Sequence, residues 1–297
     1  MADTHIDWCD KVWNPVTGCS KVSAGCKNCY AERMATRLAG RAGYPAENPF
    51  AVTLHPDRLD QPLHWRKPQR VFVNSMSDLF HEDVPFEFVE QVWDTMFNCG
   101  AVTFDGCPRH TFMILTKRPS RMLEFTHWLR DDRLREPRYR NVWLGVSVED
   151  QATADERTPY LRRCPAALRF LSVEPMLGPI PMLPLRGISW VIAGGESGPH
   201  ARPAHPDWFR SVRDQCAAAG VPFWFKQWGE WFEIPCNDDY PPPYDRRERY
   251  LNLVGGYGFR GYGFHGEAVV RVRRVGRAVS GDLLDGVRHK EAPGGER

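Results

Sequence analysis

Short apolar runs alternate with stretches of helical periodicity along most of this chain. Arg70-Val71-Phe72-Val73-Asn74 is rich in β-formers and gives way to the polar run Ser75-Met76-Ser77-Asp78. Val89, Val92, Trp93 and Met96 then recur at helical spacing, predicting a helix over 86–97. The cadence repeats. A run from His110 to Thr116 precedes Lys117-Arg118-Pro119 and a helical segment over 120–130; Asn141 to Val146 precedes Ser147-Val148-Glu149 and a polar helix over 151–163. Leu168 to Val173 then ends in Glu174-Pro175, and Ser189 to Ala193 ends in Gly194-Gly195-Glu196-Ser197. A helix over 206–219 is stopped by Gly220, and Val221 to Phe225 ends in Lys226-Gln227.

Strands alternating with helices predict an α/β fold with parallel strands joined by right-handed crossovers. Counting a strand at Val12–Val16, there are six strands, or seven with the last. The Pro-rich stretch from Glu174 to Ser189 is too short for a crossover helix, so one connection is irregular. Polar residues recur where the runs end: Ser77 and Asp78, Lys117, Ser147 and Glu149, Glu174, Glu196, Lys226. Parallel α/β folds build their sites at that end. Any one of these residues could simply cap the following helix. As a set, several charges aimed into one mouth call for a ligand to compensate them.

With 42% hydrophobic and 26% charged residues in 297, composition excludes a wholly disordered chain or a fibrous repeat. No apolar run approaches the ~18–20 residues that span a bilayer, so no membrane association is expected. The opening MADTHIDWCDKVW has acids where a signal peptide has a basic flank, and a cytoplasmic protein is expected. The net charge of +2 hides an asymmetry: residues 246–297 carry 11 basic and 6 acidic side chains, leaving the first 245 at net −3. We expect a body over 1–229 and a basic, Gly- and aromatic-rich extension over 230–297. There Tyr257 to Phe264 interleaves aromatics with Gly and Arg260, and Arg271-Val272-Arg273-Arg274 follows. Such a tail can stack bases and neutralise phosphates; it also reads as a Gly-rich hairpin or solvated extension.

Nine cysteines, an odd number, argue against a disulfide framework. Cys99, Cys164 and Cys216 sit in helix-like apolar surroundings and read as buried thiols. Cys19, Cys26 and Cys29 differ, being spaced C-x6-C-x2-C on a loop that feeds a helix beginning near AERMATRL. A helix N-terminus favours the thiolate form. Zinc would need a fourth ligand, for which Cys9 is nearest. An iron–sulfur cluster held by three thiolates would instead leave one iron open. Gly194-Gly195-Glu196-Ser197-Gly198 lacks the spacing and Lys-Ser/Thr ending of a phosphate loop, and Ser197 lacks a nucleophile-elbow context.

A three-cysteine loop after the first strand of a parallel α/β barrel resembles the radical S-adenosylmethionine enzymes. More closely, the phrases WNPVTGC, GCKNCYAERM, FVNSMSDLFHEDVP, LTKRP, WLGVSVED, FLSVEPMLGP, WVIAGGESG and FKQWGEW resemble a largely phage-associated family with a three-cysteine motif, over about three-quarters of the chain. The resemblance implies a partial (β/α)6-type barrel and a [4Fe–4S] cluster on Cys19, Cys26 and Cys29. It further implies S-adenosylmethionine on the fourth iron, reductive cleavage to a 5′-deoxyadenosyl radical, and an electron donor such as flavodoxin or ferredoxin. The first cysteine spacing is six residues rather than three, and Asn28 stands where an aromatic often meets adenine; Tyr30 is its candidate substitute.

Within that resemblance, strand order makes Ser75, Ser77 and Asp78 candidates for the methionine amino group, Lys117 for its carboxylate, and Ser147 and Glu149 for the ribose. Glu174, Glu196 and Lys226 are left for substrate. The leading expectation is a radical enzyme acting on a nucleic-acid base or nucleotide, by modification or repair. Its competitors are a radical enzyme acting on a small metabolite or peptide, and a zinc-stabilised, non-catalytic nucleic-acid-binding protein.

Overall fold

The computed structural model describes residues 6–100, 109–129, 140–234, 247–254, 257–258 and 269–294. Its first strands are β1 (Lys11–Trp13), β2 (Val16–Thr17), β3 (Thr53–Leu54), β4 (Gln69–Val73), β5 (His110–Thr116) and β6 (Val142–Val148); β7 (Leu168–Val173), β8 (Trp190–Gly194) and β9 (Phe223–Gln227) follow. Helices α1 (Tyr30–Arg37), α2 (Phe86–Cys99), α3 (Pro119–Trp128), α4 (Gln151–Arg163) and α5 (Pro206–Ala219) alternate with them. The fold is therefore α/β. Seven strands form one sheet in the order β1-β4-β5-β6-β7-β8-β9. Each sheet strand lies beside its predecessor, the stepwise winding of a barrel wall rather than the reversing order of a doubly wound sheet.

The expected strand over Val12–Val16 is two strands. Pro15 has no N–H to give a ladder, so pairing stops after Trp13. Val16 and Thr17 turn instead to an antiparallel pair with Leu54 and Thr53.

The chain divides into two compact units, Met1–Ser147 with Glu156–Leu171, and Val148–Asp155 with Ser172–Arg297. In the first, β1, β4 and β5 pair in parallel, with Lys11 opposite Val71 and Gln69 opposite His110. Its aromatic residues fill a core: Phe80, Trp93 and Phe125 are all under 2% exposed, and the Trp93 and Phe125 rings lie 5.0 Å apart.

In the second unit, β8 and β9 are parallel, with a register shift between Ala193 and Gly194. α5 ends on Gly220 in the left-handed conformation, φ 65°, where a Cβ would be strained. β10 (Trp231–Ile234), β11 (Glu248–Asn252), β12 (Tyr257–Gly258) and β13 (Val269–Arg274) make a separate antiparallel sheet in the order β10-β13-β11-β12. Trp231, Leu251 and Val272 are its buried contacts. Among the described residues, no helix is long and apolar enough to cross a membrane.

Candidate functional site

The cysteine loop begins at Gly18, whose φ of 82° suits glycine. A Cβ there would lie 2.0 Å from the Ala51 carbonyl oxygen, so the chain passes where only glycine fits. Gly18 N–H donates to Met76 O at 3.1 Å and Cys19 N–H to Phe50 O at 3.1 Å. Gly18 also bridges Ser77 in parallel. The loop is thereby stitched to the residues that follow β4. Cys26 closes a short 3-10 turn over Ala24–Cys26, and Cys29 immediately precedes α1.

Cys19, Cys26 and Cys29 are free, half-buried thiols, whereas Cys9 is buried. Among the described residues, no three His, Cys, Asp or Glu side chains gather closely enough for a single metal ion. An iron–sulfur cube takes its thiolates on separate irons, so three soft thiol donors on one loop still fit it. The Cys19 thiol is pushed up to about 11, first by burial and then by the Asp78 carboxylate, against the opposing pull of Arg118. Only Cys29 adjoins the helix N-terminus, so the expected thiolate-favouring effect does not reach Cys19.

Asp78, expected to meet a methionine amino group, is 6% exposed and already heavily engaged. Its carboxylate accepts from Thr116 Oγ1 at 2.7 and 2.9 Å, from Lys117 N–H at 3.0 Å and from Phe80 N–H at 3.1 Å. It ties the end of β4 to the end of β5. Beside it lies Arg118, also 6% exposed. Arg118 Nε donates to both Glu82 oxygens at 2.9 and 3.0 Å, Nη2 to Ser20 Oγ at 2.8 Å, and Nη1 to Cys19 Sγ at 3.5 Å. His81 Nδ1 accepts from Asp83 N–H, so Nε2 carries the proton and donates to Ser20 Oγ at 2.8 Å. Burial first, then the Arg118 cation, hold His81 below the ordinary imidazole range.

Ser75 Oγ donates to Asn14 Oδ1 at 3.2 Å and Ser77 Oγ to Val16 O at 2.9 Å. Both serines are half-buried. With their protons directed inward, their oxygen lone pairs are left as acceptors, which is what an ammonium group needs. The Tyr30 hydroxyl donates to Ser75 O, fixing α1 against this loop. Asn28 lies half-buried between Cys26 and Cys29, and Lys117 is half-buried beside Arg118. Ser147, also in the first unit, is 5% exposed and its carbonyl accepts from Arg157.

In the second unit, Lys226 Nζ donates to Glu174 Oε2 at 3.0 Å, joining the ends of β7 and β9. Gly194 lies beneath this pair, since a Cβ there would approach Glu174 Oε1 to 2.5 Å. Glu196, 6% exposed, is instead clamped by Arg202 through Nη2 at 2.6 Å, Nε at 2.9 Å and the backbone N–H at 2.7 Å. Glu149 is 1% exposed and its carbonyl accepts from Leu177 and Gly178.

Residues 3–293 match the family described as protein of unknown function (DUF5131). The chain belongs to that family. No curated protein matches it. Among solved structures, a mutant of spore photoproduct lyase is similar at 14% identity and a TM-score of 0.42, over 88% of this chain and 71% of that one.

Within this DUF5131 chain, Arg118 is the residue that sequence reading passed over in favour of Lys117. No local pattern marked it: β5 is buried on both faces, with Phe112, Met113 and Ile114 all 0% exposed, so no two-residue alternation singles out Arg118 over Lys117. Arginines of the basic extension have partners within the protein. Arg271 Nη2 donates to Glu248 Oε2 at 2.7 Å, Arg273 Nε to Glu248 Oε1 at 2.9 Å, and Arg274 Nη2 to Gly198 O at 2.9 Å. These arginines serve the antiparallel sheet. Residues 259–264 of the aromatic run lie outside the described residues.

Proposed function

We propose that this DUF5131 protein is a radical S-adenosylmethionine-type enzyme in which Cys19, Cys26 and Cys29 hold a [4Fe–4S] cluster. The observation that carries the reading is the stitching of a three-thiol loop, through Gly18, to a serine loop whose oxygens keep their lone pairs. When bound, such a cluster supplies one-electron cleavage of a sulfonium. The chain's part is to bind and orient. Ser75 and Ser77 accept from the methionine ammonium, Lys117 pairs with its carboxylate, and Tyr30 flanks the adenine. Asp78 acts by fixing Thr116 and Arg118 rather than by meeting the ligand. Ser147, buried in the first unit, is the ribose candidate there, and binding has to uncover its side chain.

Glu174 and Lys226 are the substrate-facing pair of the second unit: the ammonium donates and the carboxylate accepts, a match for a polar heterocycle. Glu196, clamped by Arg202, shapes its loop. A nucleic-acid base or nucleotide is the proposed substrate class, supported by the Tyr257–Phe264 composition; an acidic flavodoxin or ferredoxin is the proposed electron donor.

Anaerobic reconstitution tests this. Iron and sulfide near four each per chain, with 5′-deoxyadenosine formed on reduction and lost in Cys26→Ala, are the expected results. A colourless chain holding one zinc overturns the proposal and selects the non-catalytic reading. Salt-independent or absent binding to DNA and RNA removes the nucleic-acid substrate in favour of a small metabolite or peptide.

A further inference from the structure

We infer that Arg118 is a positioning residue for the iron–sulfur centre: its hydrogen bond to the Cys19 sulfur raises the reduction potential of a cluster held there and sets Cys19 apart from the other two ligands. The inference rests on the cluster reading above. Its ground is the completeness with which the guanidinium is built in. Arg118 is 6% exposed, and its donors reach Glu82, Ser20, Asp78 and Cys19 together. The fork is planar and rigid, so fixing Nε on Glu82 and Nη2 on Ser20 also fixes the direction of Nη1. That direction is the Cys19 sulfur, at 3.5 Å. Among the described residues, the hydrogen-bond partner of the Cys26 sulfur is a neutral group, the Ser23 hydroxyl at 3.8 Å.

A hydrogen bond to a ligating sulfur withdraws electron density from it and favours the reduced state of the centre. Burial keeps the interaction from being screened by salt. The formal charge of Arg118 is largely answered by Asp78 and Glu82, so what remains is short-ranged and directed at one thiolate. Glu82 is the exposed member of the set, its side chain 63% accessible; Glu82→Gln removes its charge while leaving an amide oxygen to accept from Arg118 Nε.

The test is an EPR-monitored redox titration of reconstituted wild type, Arg118→Gln, Arg118→Lys and Glu82→Gln, with iron and sulfide measured in each. Arg118→Gln is expected to keep its cluster and titrate at a more negative potential. Arg118→Lys, which keeps the charge but loses the fork, shifts the same way by less. Glu82→Gln, which removes a countercharge, shifts the opposite way. A fully loaded Arg118→Gln whose potential equals that of wild type overturns the role of Arg118 and leaves the cluster reading standing. Should Arg118→Gln fail to fold, an unmoved potential in Arg118→Lys overturns it equally. A wild-type chain that takes up no iron or sulfide overturns the cluster reading itself.

Discussion

At the level of single residues, the buried charges after β4 and β5 are too interdependent to be altered singly without cost. Asp78 accepts from a hydroxyl and two backbone N–H groups and lies 3.5 Å from Arg118 Nη1. Removing its carboxylate leaves Arg118 buried with Glu82, an exposed and therefore weaker partner. Breaking a buried ion pair from one side costs about 3–5 kcal/mol, so Asp78→Ala should lower the unfolding free energy obtained from urea denaturation by that order. Asp78→Asn, which keeps one acceptor oxygen, should lose about half as much. Equal and small losses in both would show that the carboxylate is not what holds the two strand ends. The pair Glu174–Lys226 should behave differently. Both side chains retain access, 17% and 23%, so Glu174→Gln is expected to move stability little while abolishing product formation. A variant that unfolds instead would mark the pair as structural.

Among the elements, strands and helices were about equally legible. The bounds read for the runs 110–116 and 168–173 and for the helices 151–163 and 206–219 are those observed, the last because its glycine stop acts locally. The strand at Val12–Val16 misled because its apolar residues continue past Pro15 while its hydrogen bonds cannot. The cysteine loop could be read as a loop, yet its attachment to the Ser75–Ser77 turn is a contact between distant segments that no local pattern carries. Gly18 is the point at which the two readings meet. With φ at 82° and the Ala51 oxygen 2.0 Å from the site of a Cβ, Gly18→Ala must displace backbone. The left-handed strain alone costs about 1–2 kcal/mol. Gly187, at φ 75° with open space around it, supplies the control, since Gly187→Ala bears the strain without the collision. Chemical denaturation should therefore rank Gly18→Ala well below Gly187→Ala in stability, and only the former should lose iron uptake. Matching midpoints would mean the loop yields freely.

For the molecule as a whole, the two units should respond to acid in sequence. In the first, burial holds His55 and His110 below the ordinary imidazole range, with Arg58 and Arg109 adding to the effect. The unfolded chain takes up protons at these positions near pH ~6.5, and the folded chain does not. Stability from these groups is thus complete above that pH and is lost as pH falls below it. The second unit relies on carboxylates. Burial would raise Glu248, but hydrogen bonds from Arg273 and Arg271 outweigh it and hold the acid low; Arg213 and Arg210 do the same for Asp285. Their contribution persists until pH falls through the carboxylate range, ~4. Hydrogen exchange across a pH series should show amides of β4 and β5 losing protection between pH ~6.5 and ~5, ahead of those of β11 and β13. His55→Gln sharpens the test: it can still bond Thr17 Oγ1, the partner 2.8 Å from His55 Nε2, but it cannot titrate. That substitution should flatten the upper part of the curve in the first unit and leave the second unchanged, and an unaltered curve would assign the acid response to groups other than this histidine.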